Sequence, residues 1–234
     1  MPLPKDVAAV LFDFDQTLIH LGADWEGLRA SIKKIALSYG QEFEDKWVLR
    51  GIGKAFKHLT DEGRESDATK FRAEAFQCVE DEENRALEHS HPILRATEVV
   101  AELRNRGYKV AIVSNNNSAS IKKALEMFGF PPIELVIGRH NGDPVKPSPI
   151  PVHKALNNLH IKPGQAILVG DGEADLAAGK AAGVATILFA QPGVKKELLT
   201  KPVETVDDLG KLLDMLPAKN GNGTKPGHAA EAAT

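Results

Sequence analysis

Short apolar runs alternate with amphipathic segments along most of the chain. Residues 7–12, 108–113, 133–137, 166–169 and 184–189 are apolar runs of the kind that forms buried strands. Most segments between them place apolar residues at three- and four-residue spacings, which predicts helices. Because parallel neighbouring strands need crossover connections, the pattern predicts an α/β fold with a Rossmann-like parallel sheet sandwiched by helices.

A long segment with helical periodicity alone separates the first two predicted strands. We interpret this segment, residues 20–92, as an all-helical cap domain inserted into an α/β core. The core would consist of residues 1–19 and 93–216, and its last predicted helix covers residues 206–216. The helices predicted in the cap cover residues 25–39, 43–59 and 66–89.

Aromatic residues lie at helical spacing within the predicted cap. Packing in a small core explains them better than a cofactor site does. Residues 217–234, by contrast, have no apolar period and are predicted to form a disordered tail. The aromatic residues expected in the cap core are Trp25, Trp47, Phe56, Phe71 and Phe76.

Composition and charge exclude several classes of protein. The formal net charge is −3, and no basic cluster indicates a nucleic-acid partner. No apolar run is long enough for a membrane span, and the first residues lack a signal-peptide pattern, so we expect a cytoplasmic protein. The single cysteine, Cys78, excludes an intramolecular disulfide, and its neighbours Phe76 and Val79 predict a buried thiol.

Two acidic residues directly follow the first predicted strand. Asp13 and Asp15 are separated by one residue, and alternate residues of a strand lie on the same face. Two close carboxylates raise each other's pKa unless a cation or a shared proton offsets their charge, and a metal ion is the simplest solution. A strand end followed by an Asx turn, with Thr17 starting a helix, would explain these residues without a metal.

Polar residues also follow later strands of the predicted sheet. Ligands of open parallel sheets bind beyond the carboxyl ends of the strands, so we expect Ser114, Lys146 and Asp171 to lie near Asp13. Asp13 and Asp171 are oxygen ligands suited to Mg²⁺, and Lys146 could neutralise a phosphate. Ser114 and the amides after it could bind the same phosphate at a helix N-terminus.

Each of these three later residues could also have a purely structural role. Ser114 could cap the helix that follows it, Lys146 could be a solvated loop residue, and Asp171 could belong to a tight turn. Because they recur at successive strand ends, the set favours one phosphate-binding and metal-binding site.

At this point the motifs carry a resemblance to a known family. In order, spacing and strand context they are similar to the motifs of the haloacid dehalogenase superfamily, and the match extends from residue 7 to about residue 216. The chain resembles its helical-cap (subclass I) phosphatases, such as phosphoglycolate phosphatases. Between Asp15 and Thr17 the family most often has Gly, and this chain has Gln16. The four motifs are Asp13-Phe14-Asp15-Gln16-Thr17, Ser114-Asn115, Lys146-Pro147 and Gly170-Asp171 through Asp175.

This resemblance implies a Mg²⁺-dependent phosphatase with an aspartyl-phosphate intermediate. Asp13 would be the nucleophile, and Asp15 would be the general acid and base. Thr17 would orient the loop that carries both acids. Because the dehalogenase branch lacks an acid at the position of Asp15, this residue favours phosphoryl transfer over carbon–halogen chemistry.

The resemblance also implies which residues bind the phosphate and the metal. Ser114, Asn115 and Lys146 would bind the transferring phosphoryl group, and Lys146 would stabilise its charge. The implied metal-site residues are Asp13 and Asp171 through their side chains, Asp15 through its backbone carbonyl, and Asp175 through a metal-bound water or through Lys146.

The expected substrate is a small soluble phosphomonoester, similar to phosphoglycolate or a sugar phosphate. No nucleic acid or membrane is expected as a partner, and the protein is expected to be a monomer or a homodimer. Two alternatives stay open: a phosphomutase of the same fold, and a binding or regulatory member without turnover. Phosphonate cleavage is disfavoured, because no motif identifies a cap lysine placed for a Schiff base.

Substrate specificity would come from the cap. A turn predicted over residues 49–54 contains Gly51 and Gly53, which could bring Arg50 and Lys54 to the mouth of the site. A solvent-exposed connection between helices explains the same residues equally well. His20 is a weaker candidate, which we interpret as a packing residue near the hinge between core and cap.

Overall fold

Strands and helices alternate along the polypeptide, except for a run of three helices after the second strand. The computed structural model describes residues 2–140, 142–191, 193–194 and 198–219. Its strands and helices, in chain order, are β1 (Ala9–Phe12), β2 (Ile19–His20), α1 (Trp25–Ser38), α2 (Val48–Asp61), α3 (Glu65–Ala86), β3 (His91–Pro92), α4 (Ala96–Asn105), β4 (Lys109–Asn117), α5 (Ser118–Met127), β5 (Leu135–Arg139), α6 (Ile150–Leu159), β6 (Ala166–Gly170), α7 (Glu173–Ala182), β7 (Ala185–Phe189), β8 (Glu204–Val206) and α8 (Lys211–Met215).

A parallel sheet lies at the centre of the core. Within the described residues it has six strands in the order β5-β4-β1-β6-β7-β8, and every neighbouring pair is parallel. The register places Phe12 opposite both Ile112 and Val169, so the central strands end at nearly the same level. The predicted α/β architecture is confirmed.

Helices cover both faces of this sheet, because alternate residues of β1 point into different hydrophobic clusters. Val10 and Phe12 pack in a cluster with residues of α4, α5 and α8. Ala9 and Leu11 pack in a second cluster with residues of α6 and α7. Full burial of the central strands explains why they read as continuous apolar runs in the sequence.

The helices α1, α2 and α3 form a hydrophobic cluster of their own, in which Ile32, Ile52 and Phe71 are fully buried. The chain enters and leaves this segment through β2 and β3, which pair in an antiparallel manner with Ile19 opposite Pro92. These two short strands were not predicted. The division into a core and a cap of residues 20–92 stays a prediction, and the separate cluster is compatible with it.

The prediction of a helix over residues 43–59 was wrong at its start, and so was the turn predicted over residues 49–54. Helix α2 begins at Val48 and runs through both Gly51 and Gly53. A Cβ atom at Gly51 would lie 2.5 Å from the ring of Phe43, so this glycine permits a close ring contact inside a helix. Trp47, expected in the cap core, is 61% exposed.

The helix predicted over residues 206–216 was also wrong in extent. Its first residue belongs to β8, which pairs with β7 at the edge of the sheet, and helix α8 covers only Lys211–Met215. The start of the predicted tail contacts the core. The Tyr108 hydroxyl donates to the carbonyl of Pro217 at 2.8 Å, and the backbone N–H of Lys219 donates to the carbonyl of Arg106. Residues 220–234 lie outside the described residues.

None of the described helices combines the length and apolar character needed to cross a membrane. Cys78 is half-buried rather than fully buried, and burial together with nearby acidic groups raises the pKa of its thiol. A raised pKa keeps the thiol protonated and unreactive, as expected of a packing residue.

Candidate active site

The carboxyl ends of the central strands bring the predicted residues together. Asp13 follows β1, and its backbone N–H donates to the carbonyl of Val169 in β6 at 2.8 Å. Asp171 follows β6 directly, and Lys146 reaches the same place from the loop after β5. This arrangement agrees with the expectation of one site at one edge of the sheet.

A buried lysine links two of the acidic residues. The Lys146 side chain is 2% exposed, and its Nζ lies 2.7 Å from Asp13 Oδ1 and 2.5 Å from Asp175 Oδ1. Nζ also donates to the carbonyl of Val113 at 2.7 Å, so all three of its protons have acceptors. Burial lowers the pKa of Lys146, but Asp13 and Asp175 outweigh burial and hold the pKa above its ordinary value. Lys146 is therefore a fixed positive charge.

Three carboxylates could hold a metal ion. Asp13, Asp171 and Asp175 each offer an oxygen, and these oxygens lie within 4.8 Å of one another. Together with Asp15 they surround the single ammonium of Lys146. Clustered hard oxygen donors fit Mg²⁺. The magnesium site itself stays a prediction.

Asp175 reaches this cluster from the first turn of α7, which begins at Glu173. Its second oxygen, Oδ2, accepts from the backbone N–H of Gly172 at 3.2 Å. A Cβ atom at Gly170 would lie 2.3 Å from the Asp175 carboxyl carbon. The glycine before Asp171 is thus required for Asp175 to fold back onto the strand end.

Asp15 has a different environment from Asp13. Its Oδ1 accepts from the side-chain amide of Gln16 at 3.0 Å and from the backbone N–H of Leu21 at 3.2 Å. Burial, and then the charges of Asp13 and Asp171, raise the pKa of Asp15 from 3.8 to about 7. A carboxyl group with this pKa is partly protonated at neutral pH, as a general acid must be.

Gln16, where the resemblance leads one to expect glycine, has a left-handed backbone with φ of 60°. Its Oε1 accepts from Gln191 Nε2 at 3.1 Å and lies 3.1 Å from His20 Nδ1. The His20 ring stacks on His91 with 5.0 Å between centroids, in agreement with the packing interpretation of His20. Gln191 was missed, since nothing in the sequence connects it with Gln16.

Thr17 does not start a helix. Residues 14–19 form turns in which the backbone N–H groups of Thr17 and Leu18 donate to the carbonyl of Phe14. The Thr17 hydroxyl is buried and makes no hydrogen bond to any described residue. Its predicted role in orienting the loop stays a prediction.

The phosphate-loop candidates Ser114 and Asn115 lie inside β4, which is longer than the predicted strand. The Ser114 hydroxyl donates to Asn116 Oδ1 at 3.0 Å and accepts from the Asn116 backbone at 3.2 Å. The helix cap is instead Asn117, whose side chain accepts from Ala119. The capping interpretation of Ser114 was therefore wrong.

Asn115 holds the lysine loop. Its Nδ2 donates to the carbonyl of Lys146 at 2.9 Å, and its Oδ1 accepts from the N–H of Lys146 at 2.8 Å. The two hydrogen bonds fix both sides of one residue, so Asn115 positions Lys146 whether or not it also contacts a phosphate.

The cap candidates Arg50 and Lys54 lie on α2 and bind a common partner. Arg50 Nη2 lies 2.8 Å from Asp45 Oδ1, and Lys54 Nζ lies 2.9 Å from Asp45 Oδ2. The hydrogen bond from Arg50 is the main reason that the pKa of Asp45 is well below its usual range. No contact between the described residues joins either side chain to the acidic cluster, and their role in specificity stays a prediction.

Arg72, an arginine of α3 that was not a candidate in the sequence, lies against the loop that leads to Lys146. The Arg72 guanidinium carbon is 4.2 Å from the centroid of the Phe56 ring. A Cβ atom at Gly142, in the loop that leads to Lys146, would lie 3.4 Å from Arg72 Nη1. Within the described part of the chain, no carboxylate forms an ion pair with this guanidinium.

Comparison with known proteins identifies the family. The family described as haloacid dehalogenase-like hydrolase matches residues 10–189. A phosphoglycolate phosphatase of Aquifex aeolicus is 30% identical over 211 residues, covering 88% of this chain and 96% of the relative. The pyrophosphatase PpaX of Bacillus mycoides is 28% identical over 225 residues, covering 92% of this chain and 99% of the relative.

A solved structure described as a predicted phosphoglycolate phosphatase from Haemophilus somnus superposes with a TM-score of 0.60 at 19% identity. The likeness covers 90% of this chain and 98% of that one. The family match spans most of the chain and includes Asp13, Ser114, Lys146 and Asp171. The chain belongs to the haloacid dehalogenase-like hydrolases.

Proposed function

We propose that the protein is a Mg²⁺-dependent phosphatase that hydrolyses a small soluble phosphomonoester through an aspartyl-phosphate. The observation that carries this proposal is the pair of acids after β1. Asp13 contacts the buried ammonium of Lys146, whereas Asp15 has a pKa raised to about 7. Asp13 would be the nucleophile beside a positive charge, and Asp15 would be available as a proton donor. Relatives named phosphoglycolate phosphatase and pyrophosphatase support the same class of reaction.

In the first step, an Asp13 oxygen forms a bond to phosphorus while the bond from phosphorus to the ester oxygen breaks. Asp15 gives its proton to that oxygen, which leaves as an alcohol. In the second step, Asp15 accepts a proton from a water molecule whose oxygen attacks phosphorus, and the bond to Asp13 breaks. Lys146, Ser114 and Asn115 would bind the phosphoryl oxygens during both steps, with Lys146 and Ser114 each exchanging one present acceptor for a phosphoryl oxygen.

The side chains of Asp13 and Asp171 and the backbone carbonyl of Asp15 would hold Mg²⁺. The bound ion would neutralise phosphate charge. Asp175 accepts from Lys146 and lies beside the other two carboxylates, so it would keep both the ammonium and the ligands in place.

The cap cation that faces the core suggests the substrate class. Arg72 lies against the loop before Lys146, whereas Arg50 and Lys54 already bind Asp45. A guanidinium without a carboxylate partner among the described residues suits a second anionic group, such as a carboxylate or another phosphate. We therefore propose a phosphomonoester that carries a second negative charge.

Release of phosphate from p-nitrophenyl phosphate tests the reaction. Wild-type protein should release phosphate with Mg²⁺ and lose this activity with chelator, and Asp13→Asn should be inactive under both conditions. Equal rates for wild type and Asp13→Asn would contradict the mechanism. A requirement for a bisphosphate cofactor, with no net phosphate release, would indicate a mutase. A panel of phosphoglycolate, sugar phosphates and pyrophosphate would then identify the preferred substrate.

A further inference from the structure

A glutamate on α3 is buried at the edge of the proposed active site. The Glu83 side chain is 3% exposed and that of its partner Arg139 is 1% exposed. Arg139 Nη1 donates to Glu83 Oε1 at 2.9 Å, and Nη2 donates to Oε2 at 3.3 Å. The proposed mechanism uses neither residue, although burying two charges is expensive unless they are paired.

Glu83 also binds the backbone that follows Ser114. The Asn117 N–H donates to Glu83 Oε2 at 3.0 Å, and Asn116 Nδ2 lies 3.4 Å from Glu83 Oε1. The other end of the Asn116 amide, Oδ1, accepts from the Ser114 hydroxyl at 3.0 Å. The Asn116 side chain therefore links the Glu83 carboxylate to the Ser114 hydroxyl, which is expected to bind phosphate.

Arg139 provides a second connection to the site. Its Nη1 donates to the carbonyl of Asn115 at 2.8 Å, and the Asn115 side chain holds both the N–H and the carbonyl of Lys146. The guanidinium also lies 5.3 Å from the ring of Phe76, another residue of α3. Arg139 thus joins α3 to the loop that carries Lys146 through one residue, Asn115.

We propose that Glu83 is a positioning residue for phosphate binding. Through Asn116, Asn117 and Arg139 it holds the Ser114 hydroxyl and the Lys146 loop in the binding arrangement while α3 lies on the core. It does so without touching the substrate. The inference rests on the proposed function for the identity of the bound group.

The test compares Glu83→Gln with Glu80→Gln. A glutamine at position 83 can still accept from Asn117 and from Arg139 Nη2 through one oxygen, but its amide nitrogen then faces two other donors, Arg139 Nη1 and Asn116 Nδ2. Glu80 lies on the same helix and makes no hydrogen bond or ion pair among the described residues, which makes it a matched control. The readouts are the Kd for inorganic phosphate with Mg²⁺ by calorimetry, KM and kcat, and the melting temperature.

We expect Glu83→Gln to raise the phosphate Kd and KM about tenfold, equivalent to ~1.4 kcal/mol, with a smaller change in kcat. Glu80→Gln should bind like wild type. A Glu83→Gln variant with a lower melting temperature but wild-type Kd and KM would overturn the proposal, because Glu83 would then be a structural anchor only.

A second variant covers failure of Glu83→Gln to fold. Glu83→Asp keeps the charge but is too short to reach Arg139 and Asn117 together, so it should also weaken phosphate binding, and a wild-type Kd would overturn the proposal. If the wild type binds phosphate but hydrolyses no ester, the proposed function fails while the Kd comparison still tests Glu83. If the wild type binds no phosphate, both proposals fail.

Discussion

The pKa of Asp15 connects chemistry with stability at the scale of a single residue. Burial and the charge of Asp13 raise this pKa to about 7 in the folded protein, from an ordinary value of 3.8. Between these values the folded state binds a proton that the unfolded state has released. The free energy of unfolding therefore falls as pH rises through this window.

Asp15→Asn should stabilise the metal-free protein at alkaline pH, because it removes the carboxylate that burial disfavours. The variant should exceed the wild type in unfolding free energy by more at pH 8 than at pH 4. This difference between the two pH values should be up to about 4 kcal/mol. Urea unfolding at both pH values, in the presence of chelator, measures the difference. Asp6→Asn, at an exposed acid, is the control and should change the unfolding free energy by less than about 0.5 kcal/mol. An equal effect of Asp15→Asn at both pH values would contradict the raised pKa.

Arg72 carries the prediction about substrate choice. Arg72→Gln should raise KM about tenfold for phosphoglycolate, which has a carboxylate, and much less for p-nitrophenyl phosphate, because a charge-assisted hydrogen bond is lost only with the first. Steady-state kinetics on both substrates gives the ratio. Arg50→Gln is the matched control, since Arg50 binds Asp45. A changed ratio in Arg50→Gln alone would favour the contact predicted from the sequence.

At the scale of an element, the glycines of α2 have different surroundings. A Cβ atom at Gly51 would lie 2.5 Å from the Phe43 ring, whereas one at Gly53 would meet nothing within 4 Å. The same substitution should therefore have opposite effects at two positions in one helix.

Gly51→Ala should lower the melting temperature, because the Phe43 ring must move or the helix must shift, at a cost of about 1–3 kcal/mol. Gly53→Ala should raise stability by about 0.5–1 kcal/mol through better helix propensity. Thermal unfolding of both variants beside wild type measures this. Stabilisation by both substitutions would contradict the contact between Gly51 and Phe43.

Elements with local signals were predictable from the sequence. Buried strands read as apolar runs that stop abruptly, so Asp13, Lys146 and Asp171 could be assigned to strand ends and their loops. By contrast, a tertiary contact with Phe43 explains why residue 51 is a glycine, and no local sequence pattern reveals this contact. The edge strand β8 was not predicted, and its last residue, Val206, was assigned to a helix, because the three residues of this strand are mostly exposed and show no clear alternation of apolar and polar positions.

Long-range pairing was the other limit of prediction. Glu83 and Arg139 are 56 residues apart in sequence, and each reads locally as an ordinary charge on a helix or at a strand end. Strands β2 and β3 are two residues long, too short for a hydrophobic period. The motif residues of the candidate site could be predicted, whereas the buried pair of Glu83 and Arg139 beside them could not.

At the scale of the whole molecule, the formal charge of −3 is unevenly distributed. Asp13, Asp15, Asp171 and Asp175 crowd the strand ends around the ammonium of Lys146. Mutual repulsion of these carboxylates opposes folding unless a cation is bound. Stability should therefore depend on divalent metal.

Mg²⁺ should raise the melting temperature, because an ion that binds only the folded state stabilises it by ~2.7 kcal/mol at 100 times its Kd. Scanning fluorimetry with Mg²⁺, or with KCl at matched ionic strength, separates binding from screening. Asp171→Asn should abolish the increase, whereas Asp143→Asn, which removes an acid paired with Lys154, should retain it. The same increase in Asp171→Asn would contradict the proposed ligand set.

The pairing of β2 with β3 has a consequence for the history of such proteins. Because Ile19 lies opposite Pro92, the polypeptide departs from the sheet and returns at neighbouring points. Any segment whose two ends meet at that spacing can be grafted there without altering strand order or register. Replacement of the whole segment would keep the strand order, but it would also remove the contacts of Glu83 with Asn117 and Arg139.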